Sequence, residues 1–188
     1  MLQTPPHTRR LFLALELSED FKTALLASPV PIRNSRMTSP DKLHLTLRFL
    51  GNIPDGEEEK IISFCRQIPL QEPLPLLPAG FGGFPTLKRA SSFHLKLKLV
   101  PPLLKLKKLL DEKLELTLKM PREKSYSPHI TLCRMRRSPS ESDLKAVESW
   151  SASQKPPESR AVALTLFHSR QLAGEPLRHI PLFQPPLP

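Results

Sequence analysis

Two short segments of the chain, KLHLTLRFLG and SPHITLCR, combine a histidine and a threonine in the same order. His44 precedes Thr46 by two positions, and His129 precedes Thr131 by two positions. Side chains on a β-strand alternate between its faces and rise about 3.3 Å per residue, so each imidazole shares a face with its hydroxyl, roughly 6.6 Å away. The chain has only six histidines, and this repetition indicates a shared task.

These side chains suit acid–base chemistry at phosphorus. An imidazole has an unperturbed pKa of about 6.5, so near neutral pH one ring can accept a proton while another donates one. The two threonine hydroxyls can donate hydrogen bonds to the nonbridging oxygens of a pentavalent phosphorus transition state. We therefore predict that both motifs face one cleft, with an acid and a base on either side of a phosphate.

Two other interpretations compete with this one. Each histidine alone could be an ordinary half-exposed residue of a strand, and the two together could bind a metal ion. No Asp, Glu or Cys stands at ligand-like spacing beside either histidine except Cys133. We interpret Cys133 as a small residue that fills space on the same strand face as His129. We expect no metal site.

Hydropathy patterns predict the elements that position the motifs. Strands are expected at 10–17, 30–38 and 44–50, within 70–85 together with a turn AGFGGFP, and at 91–100, from Ser127, at 161–169 and at 175–183, with QLAG as a hairpin turn between the last two. Helices are expected from the cap Ser18 to about Ala27, from the cap Asp55 onward, from Pro101 to about Leu114, and from Ser138 or Pro139 to about Trp150. The order of elements indicates an α+β fold.

The alternation in HLTLRFL predicts two faces for its strand. His44, Thr46 and Arg48 would lie on one face, and the apolar residues between them, including Phe49, would lie on the other. Because the two motifs stand nearly half the chain apart, each half could supply one strand to a shared cleft. We therefore expect a two-lobed molecule.

Composition narrows the class of protein and partner. With 39% apolar and 24% charged residues the chain is globular, and 28 Lys and Arg against 18 Asp and Glu give a formal charge of +10. Such a charge favours a phosphate-bearing partner, although a merely basic surface is the alternative. No long apolar run or signal-like segment is present, and Cys65 and Cys133 form no disulfide framework, so we expect a reduced, cytoplasmic protein without membrane contact.

The sequence resembles a known family at several points. The opening RLFLALEL, the block DKLHLTLRFLGNI, the turn GGFP, the segment SYSPHITLCR and the closing LTLFHSRQLAGEPLRHIPLF are similar to the RNA 2′,3′-cyclic phosphodiesterases, also called 2′-5′ RNA ligases, of the two-histidine phosphoesterase superfamily. The resemblance covers about residues 10–184 of a single bilobal domain, residues 1–188. It implies two antiparallel sheets around a central cleft, with helices outside and pseudo-symmetric lobes.

The resemblance also implies an activity and roles for residues. The enzyme would hydrolyse RNA 2′,3′-cyclic phosphate ends to 2′-phosphates, with His44 as proton donor, His129 as proton acceptor, and Thr46 and Thr131 binding the phosphate. Arg134 matches a basic residue that often follows the second motif in the family. On an ideal strand it would point away from the cleft, so a bulge or an indirect role would be needed.

One arginine and three aromatic residues are further candidates for contact with the substrate. Arg48 could contact phosphate or RNA, or could be a solvated strand charge. Tyr126 stands where the family often has Phe, and together with Phe84 and Phe93 it is a candidate for base stacking, although each of these aromatics could also belong to the core or its rim.

Three functional hypotheses follow. The first is metal-independent hydrolysis of RNA ends, with 2′-5′ ligation as a related activity, no cofactor, tRNA fragments among the partners, and a monomeric enzyme. The second is hydrolysis of a smaller cyclic phosphate nucleotide. The third is a non-catalytic RNA-binding module of the same fold, which would not need two proton carriers.

Overall fold

A computed structural model describes residues 7–69 and 73–187 of the 188-residue chain. Within these residues the protein has an α+β fold, as predicted, with four α-helices and an antiparallel sheet of nine strands. The helices are α1 (Glu19–Leu26), α2 (Glu58–Arg66), α3 (Pro101–Leu118) and α4 (Glu141–Ser153). The strands are β1 (Thr8–Leu17), β2 (Ser35–Met37), β3 (His44–Pro54), β4 (Pro75–Leu76), β5 (Pro78–Phe84), β6 (Ser92–Leu97), β7 (His129–Met135), β8 (Ser159–Arg170) and β9 (Arg178–Phe183).

The sheet consists of two halves that meet between the motif strands. Its strand order is β4-β8-β1-β3-β7-β6-β5, with β9 beside β8 and β2 beside β7. Among the described residues, β3 and β7 share a single register pair, Leu45 with Ile130, whereas β1 pairs with both β3 and β8 over most of its length. The two sheets expected from the sequence are therefore joined into one at this narrow contact.

Local sequence signals explain where the helices begin and end. The Ser18 hydroxyl caps α1 by accepting a hydrogen bond from the Phe21 amide at 3.3 Å, as predicted. Two prolines open α3, where missing amide donors cost nothing, and Lys119 ends it in the left-handed conformation. The N-cap of α2 is Glu57 and not the predicted Asp55, whose carboxylate lies 3.1 Å from the Arg9 guanidinium on β1.

Other boundaries differ from the expected ones by a few residues. Helix α4 begins after a capping box formed by Ser140 and Asp143, slightly later than predicted. The region 70–85, expected to hold one strand and the turn AGFGGFP, contains the two strands β4 and β5. The prediction of a turn is wrong, because β5 includes most of AGFGGFP, and residues 70–72 lie outside the described part of the chain.

The core lies on both faces of the central strands. On one face, leucines of β1, β3 and β7 pack with the apolar sides of the helices in one large cluster. On the other face, Phe12, Ala14 and Phe167 form a small separate cluster. Burial on both faces fixes the register of β1 and β3, because a shift of one residue would exchange the faces. The motif side chains stand above the small cluster.

Candidate active site

One cleft of about 610 Å³ on this face is lined by all four motif side chains, His44, Thr46, His129 and Thr131. In an antiparallel ladder, residues that flank a register pair lie opposite each other. The pairing of Leu45 with Ile130 therefore sets His44 beside Thr131, and His129 beside Thr46. The two imidazoles occupy diagonal corners of a four-residue group, and the two hydroxyls occupy the other corners.

Both motif strands contain a bulge directly after the motif. On β3, Thr46 pairs with Ala14 and Arg48 pairs with Leu13, so Leu47 is left without a partner on β1. On β7, Thr131 pairs with His94 and Cys133 with Phe93, which leaves out Leu132. A bulge inserts one residue and reverses the alternation beyond it.

The bulges decide which residues enter the cleft. Arg134 lines it, although strict alternation would turn its side chain away from His129. Phe49 lines it as well, with 61% of its surface exposed, whereas the sequence predicts it on the core face. Arg48 shows the opposite change: it is 5% exposed and faces the core, so the prediction that it shares the face of His44 is wrong.

Arg48 instead belongs to a charge cluster behind β3 in which Arg48, Lys107 and Asp111 are buried and Glu123 is exposed. Its guanidinium lies 3.6 Å from the Asp111 carboxylate and 3.3 Å from that of Glu123, and it donates a hydrogen bond to the Pro121 carbonyl. The ammonium of Lys107 lies 2.6 Å from Asp111 and 3.0 Å from Glu123. These contacts connect β3 and α3 to the segment that precedes β7.

Tyr126 belongs to the same region and does not line the cleft. Its hydroxyl donates a hydrogen bond to the Thr46 carbonyl at 2.9 Å, and the Lys107 ammonium lies 5.4 Å from its ring centroid. Burial, and secondly the Glu123 carboxylate, raise the pKa of the Tyr126 hydroxyl. The residue therefore anchors the backbone of the first motif from the side opposite the cleft.

His44 is packed among aromatic rings. Its ring centroid lies 5.0 Å from that of Phe12, 6.0 Å from Phe167 and 5.5 Å from His179. Its Nε2 atom lies 3.1 Å from the Thr46 hydroxyl oxygen. Burial, and secondly the charge of His179, lower the pKa of His44 to about 3, so the ring is neutral near pH 7.

His129 has a different set of neighbours. Its Nδ1 atom lies 2.8 Å from the Ser127 carbonyl oxygen. A carbonyl can only accept, so Nδ1 carries the hydrogen, and in the neutral ring Nε2 is the basic nitrogen. The ring also packs against Phe84 at 4.7 Å and His94 at 5.0 Å between centroids, and burial lowers the pKa of His94 to about 4.

The other candidates fall into two groups. Phe84 lines the cleft beside His129, whereas Phe93 is 1% exposed within the core and cannot stack on a base. Cys133 is also buried in the core, away from the cleft face. Within the described residues, no group of three or more His, Cys, Asp or Glu side chains is arranged to hold a metal ion.

Sequence reasoning did not identify several residues of the cleft. Phe12 and His179 line it, as do the basic side chains Arg10, Arg36 and Lys42. The basic residues come from β1, β2 and the short 3₁₀ turn Pro40–Lys42. No sequence motif includes these three elements together. Their convergence depends on the pairing of β1 with β3 and of β2 with β7.

No helix among the described residues has both the length and the apolar character to cross a membrane.

Comparisons with known proteins agree with this geometry. The family model described as "LigT like Phosphoesterase" matches residues 19–94, which include the first motif. None of the curated proteins matched the sequence.

Solved structures extend the similarity to nearly the whole chain. The TT0787 protein of Thermus thermophilus matches with a TM-score of 0.73 and 25% identity, over 95% of this chain and 97% of that one. E. coli LigT matches with a TM-score of 0.70 and 24% identity in its complex with NADP⁺, and with 0.70 and 22% in its complex with 3′-AMP. Each comparison with LigT covers 96% of this chain and 98% of that one. The family model over residues 19–94 and these structures together support the resemblance of the chain to the LigT-like two-histidine phosphoesterases.

Proposed function

We propose that this phosphoesterase hydrolyses 2′,3′-cyclic phosphate ends of RNA to 2′-phosphates by acid–base catalysis with His44 and His129. The diagonal arrangement of the two imidazoles and two threonine hydroxyls in one cleft carries the proposal. A phosphate at the centre of this group would have one imidazole on each side, which in-line attack requires.

The tautomer of His129 supports its role as the base. Because Nδ1 donates to the Ser127 carbonyl, the basic Nε2 is available to take a proton from water. The water oxygen then forms a bond to phosphorus while the bond from phosphorus to the ribose 3′-oxygen breaks. His44 donates its proton to that 3′-oxygen, and the phosphate stays on the 2′-oxygen.

His44 must gain a proton before it can act as the acid. Its pKa is lowered to about 3, mainly by burial. A bound phosphate anion would raise this pKa, since an opposite charge favours the protonated ring. Thr46 would then turn its hydroxyl from His44 Nε2 to a nonbridging oxygen, with Thr131 binding another.

The remainder of the cleft suits a nucleotide. The exposed ring of Phe49 offers a stacking surface for a base, and Arg10, Arg36 and Arg134 supply positive charge for phosphates. E. coli LigT has been crystallised with 3′-AMP, with ATP and with NADP⁺, so a relative of this fold accepts nucleotides. Attack by a 5′-hydroxyl in place of water would give 2′-5′ ligation by the same proton transfers.

The test is incubation with an oligoribonucleotide that ends in a 2′,3′-cyclic phosphate, followed by separation of the 2′- and 3′-phosphate products. We expect the 2′-phosphate, formed also in the presence of EDTA, since two imidazoles can perform both proton transfers. The double variant His44→Ala/His129→Ala is the control. Binding of the RNA end without turnover by the wild-type protein would favour a non-catalytic module, and turnover of a cyclic mononucleotide alone would favour a small substrate.

A further inference from the structure

A third histidine stands beside His44 in the cleft and has no role in the reaction described above. His179 lies on β9, and its ring meets that of His44 nearly at a right angle, 83°, with 5.5 Å between the centroids. The Phe12 ring lies 4.9 Å from His179 and 5.0 Å from His44, so one aromatic ring contacts both imidazoles. The Nδ1 atom of His179 is buried and has no hydrogen-bond partner among the described residues.

Charged groups from several elements surround this pair. The pKa of His179 is shifted by the charges of Lys42 and Asp41 in the Pro40–Lys42 turn and of Arg134 on β7. The pKa of His44 is lowered by the charges of His179, His129 and Arg134. Asp41 is the acidic member of this set of described residues; the others are cationic or become cationic on protonation. Two imidazolium ions at this separation repel each other, so a proton on one ring opposes a proton on the other.

We propose that His179 is a positioning residue for His44, and that the two rings form a coupled pair which holds one proton when an anion occupies the cleft. The proposal rests on the proposed function only in that the proton on His44 is the one given to the leaving oxygen. His179 restricts the His44 ring by edge contact, and it competes for the proton that the anion attracts. Removal of the second imidazole should make His44 easier to protonate.

The experiment is an NMR titration of the histidine ring protons in the wild-type protein and in two variants. His179→Phe keeps an aromatic ring in contact with His44 but cannot be protonated. His168→Phe is the matched control: it lies on the adjacent strand β8, faces Arg9 and Arg170, and does not line the cleft. Each titration is repeated with inorganic phosphate as the anion.

In His179→Phe the pKa of His44 should rise by roughly 0.5 to 2 pH units, the range for unit charges 5.5 Å apart at an effective dielectric between 80 and 20. His168→Phe should leave the pKa of His44 unchanged. In the wild-type protein each imidazole should show two titration steps, one from its own proton and one from its neighbour's. This last readout does not depend on whether the variant folds.

Single-step curves for both rings, or an unchanged His44 pKa in a folded His179→Phe protein, would overturn the proposal. Turnover is measured separately against pH. If the pair is coupled, the alkaline limb of kcat, which reports the enzyme–substrate complex, should move to higher pH in His179→Phe, because His44 keeps its proton longer. A coupled titration in a protein that does not cleave cyclic phosphates would retain the pair and reject the proposed reaction.

Discussion

The strands that carry the two motifs use the same backbone device to present different side chains. Both β3 and β7 carry His-x-Thr-Leu, and both bulge at the residue after the threonine. The fifth residue after the histidine then enters the cleft, which is Phe49 on β3 and Arg134 on β7. One half of the site therefore ends in an exposed aromatic ring and the other half in a guanidinium.

The residues behind the two bulges also differ. Arg48 is buried within a charge cluster formed with Asp111, Glu123 and Lys107, whereas Cys133, at the equivalent position of β7, is a small buried residue of the apolar core. The two rings differ as well, since His44 packs among Phe12, Phe167 and His179, and His129 donates to the Ser127 carbonyl. One motif, placed in two environments, can thus give an acid and a base.

The largest expected effect comes from removal of either imidazole. Replacing His44 or His129 by Ala should lower turnover of a cyclic phosphate end by roughly 10²- to 10⁴-fold, the usual range for one general acid or base. A substrate with sulfur in place of the ribose 3′-oxygen has a leaving group that needs no proton. It should rescue His44→Ala far more than His129→Ala, because only the first variant lacks the donor. Equal rescue of both would reject the assignment of roles.

The charge cluster behind β3 should affect stability. Arg48→Met removes one cation and leaves Asp111 and Glu123 with Lys107 alone, so the free energy of unfolding should fall by about 3 to 5 kcal/mol, as for other broken buried ion pairs. Denaturation in urea measures this difference, with the exposed Arg136→Met as the matched control. A loss as small as that of the control would show that the cluster is not coupled to the fold.

The strands β3 and β7 also show which features of the fold and the cleft can be predicted from the sequence. The motif residues, the α+β order and the Ser18 cap are local patterns, and the sequence predicts them. The bulges are not local, because they arise from how β1 and β6 pair with the motif strands. Simple alternation therefore placed Arg48 and Phe49 on the wrong faces, and it would also have turned Arg134 away from the cleft that this residue lines.

Other parts of the cleft had no signal in the sequence. His179 follows the hairpin after β8 in an ordinary strand pattern, and it reaches His44 only because β9 pairs with β8, which pairs with β1, the partner of β3. Tyr126 is predicted as a substrate contact from its position just before the second motif, yet its hydroxyl contacts the backbone of the first motif. The positions of His179 and Tyr126 therefore depend on contacts between segments that are distant in the sequence.

The difference between the two rings can also be tested by acid. Because the pKa of His44 is lowered to about 3, the unfolded chain binds a proton at that residue more readily than the folded protein. The contribution of neutral His44 to the free energy of unfolding is fully present above about pH 6.5 and is lost as the pH falls toward 3. Between pH 7 and pH 5 the free energy of unfolding should fall by about 2 kcal/mol from this residue.

The variant His44→Gln should therefore lose less stability than the wild-type protein over that interval. Urea denaturation at pH 7, 6 and 5 measures the two slopes. Parallel loss of stability in both proteins would mean that His44 titrates alike in the folded and unfolded states, and its environment would then not set it apart from an exposed imidazole.

Arg134 tests the charged end of the cleft. Arg134→Gln removes the guanidinium that β7 presents beside Thr131, and kcat/KM should fall roughly 10- to 100-fold, as expected for a lost charge-assisted hydrogen bond. Arg137→Gln, an exposed arginine of the following segment, is the control for net charge. Equal losses in both variants would point to general electrostatic attraction in place of a contact with the phosphate.

Phe49 tests the aromatic end, where the smallest effect is expected. Base–aromatic stacking contributes about 1 to 3 kcal/mol in alanine substitutions, and Leu retains part of the apolar contact, so Phe49→Leu should raise KM by roughly 3- to 10-fold. Turnover at saturation should stay the same, since the ring stacks equally on substrate and transition state.

Leu116→Ala, at a 70% exposed position on α3, is the control for loss of surface apolar area. The difference should vanish for a cyclic phosphate substrate whose terminal ribose lacks a base. A KM effect that persists on this abasic substrate would show that Phe49 shapes the cleft, and the contrast between an aromatic and a charged end would lose its meaning for substrate recognition.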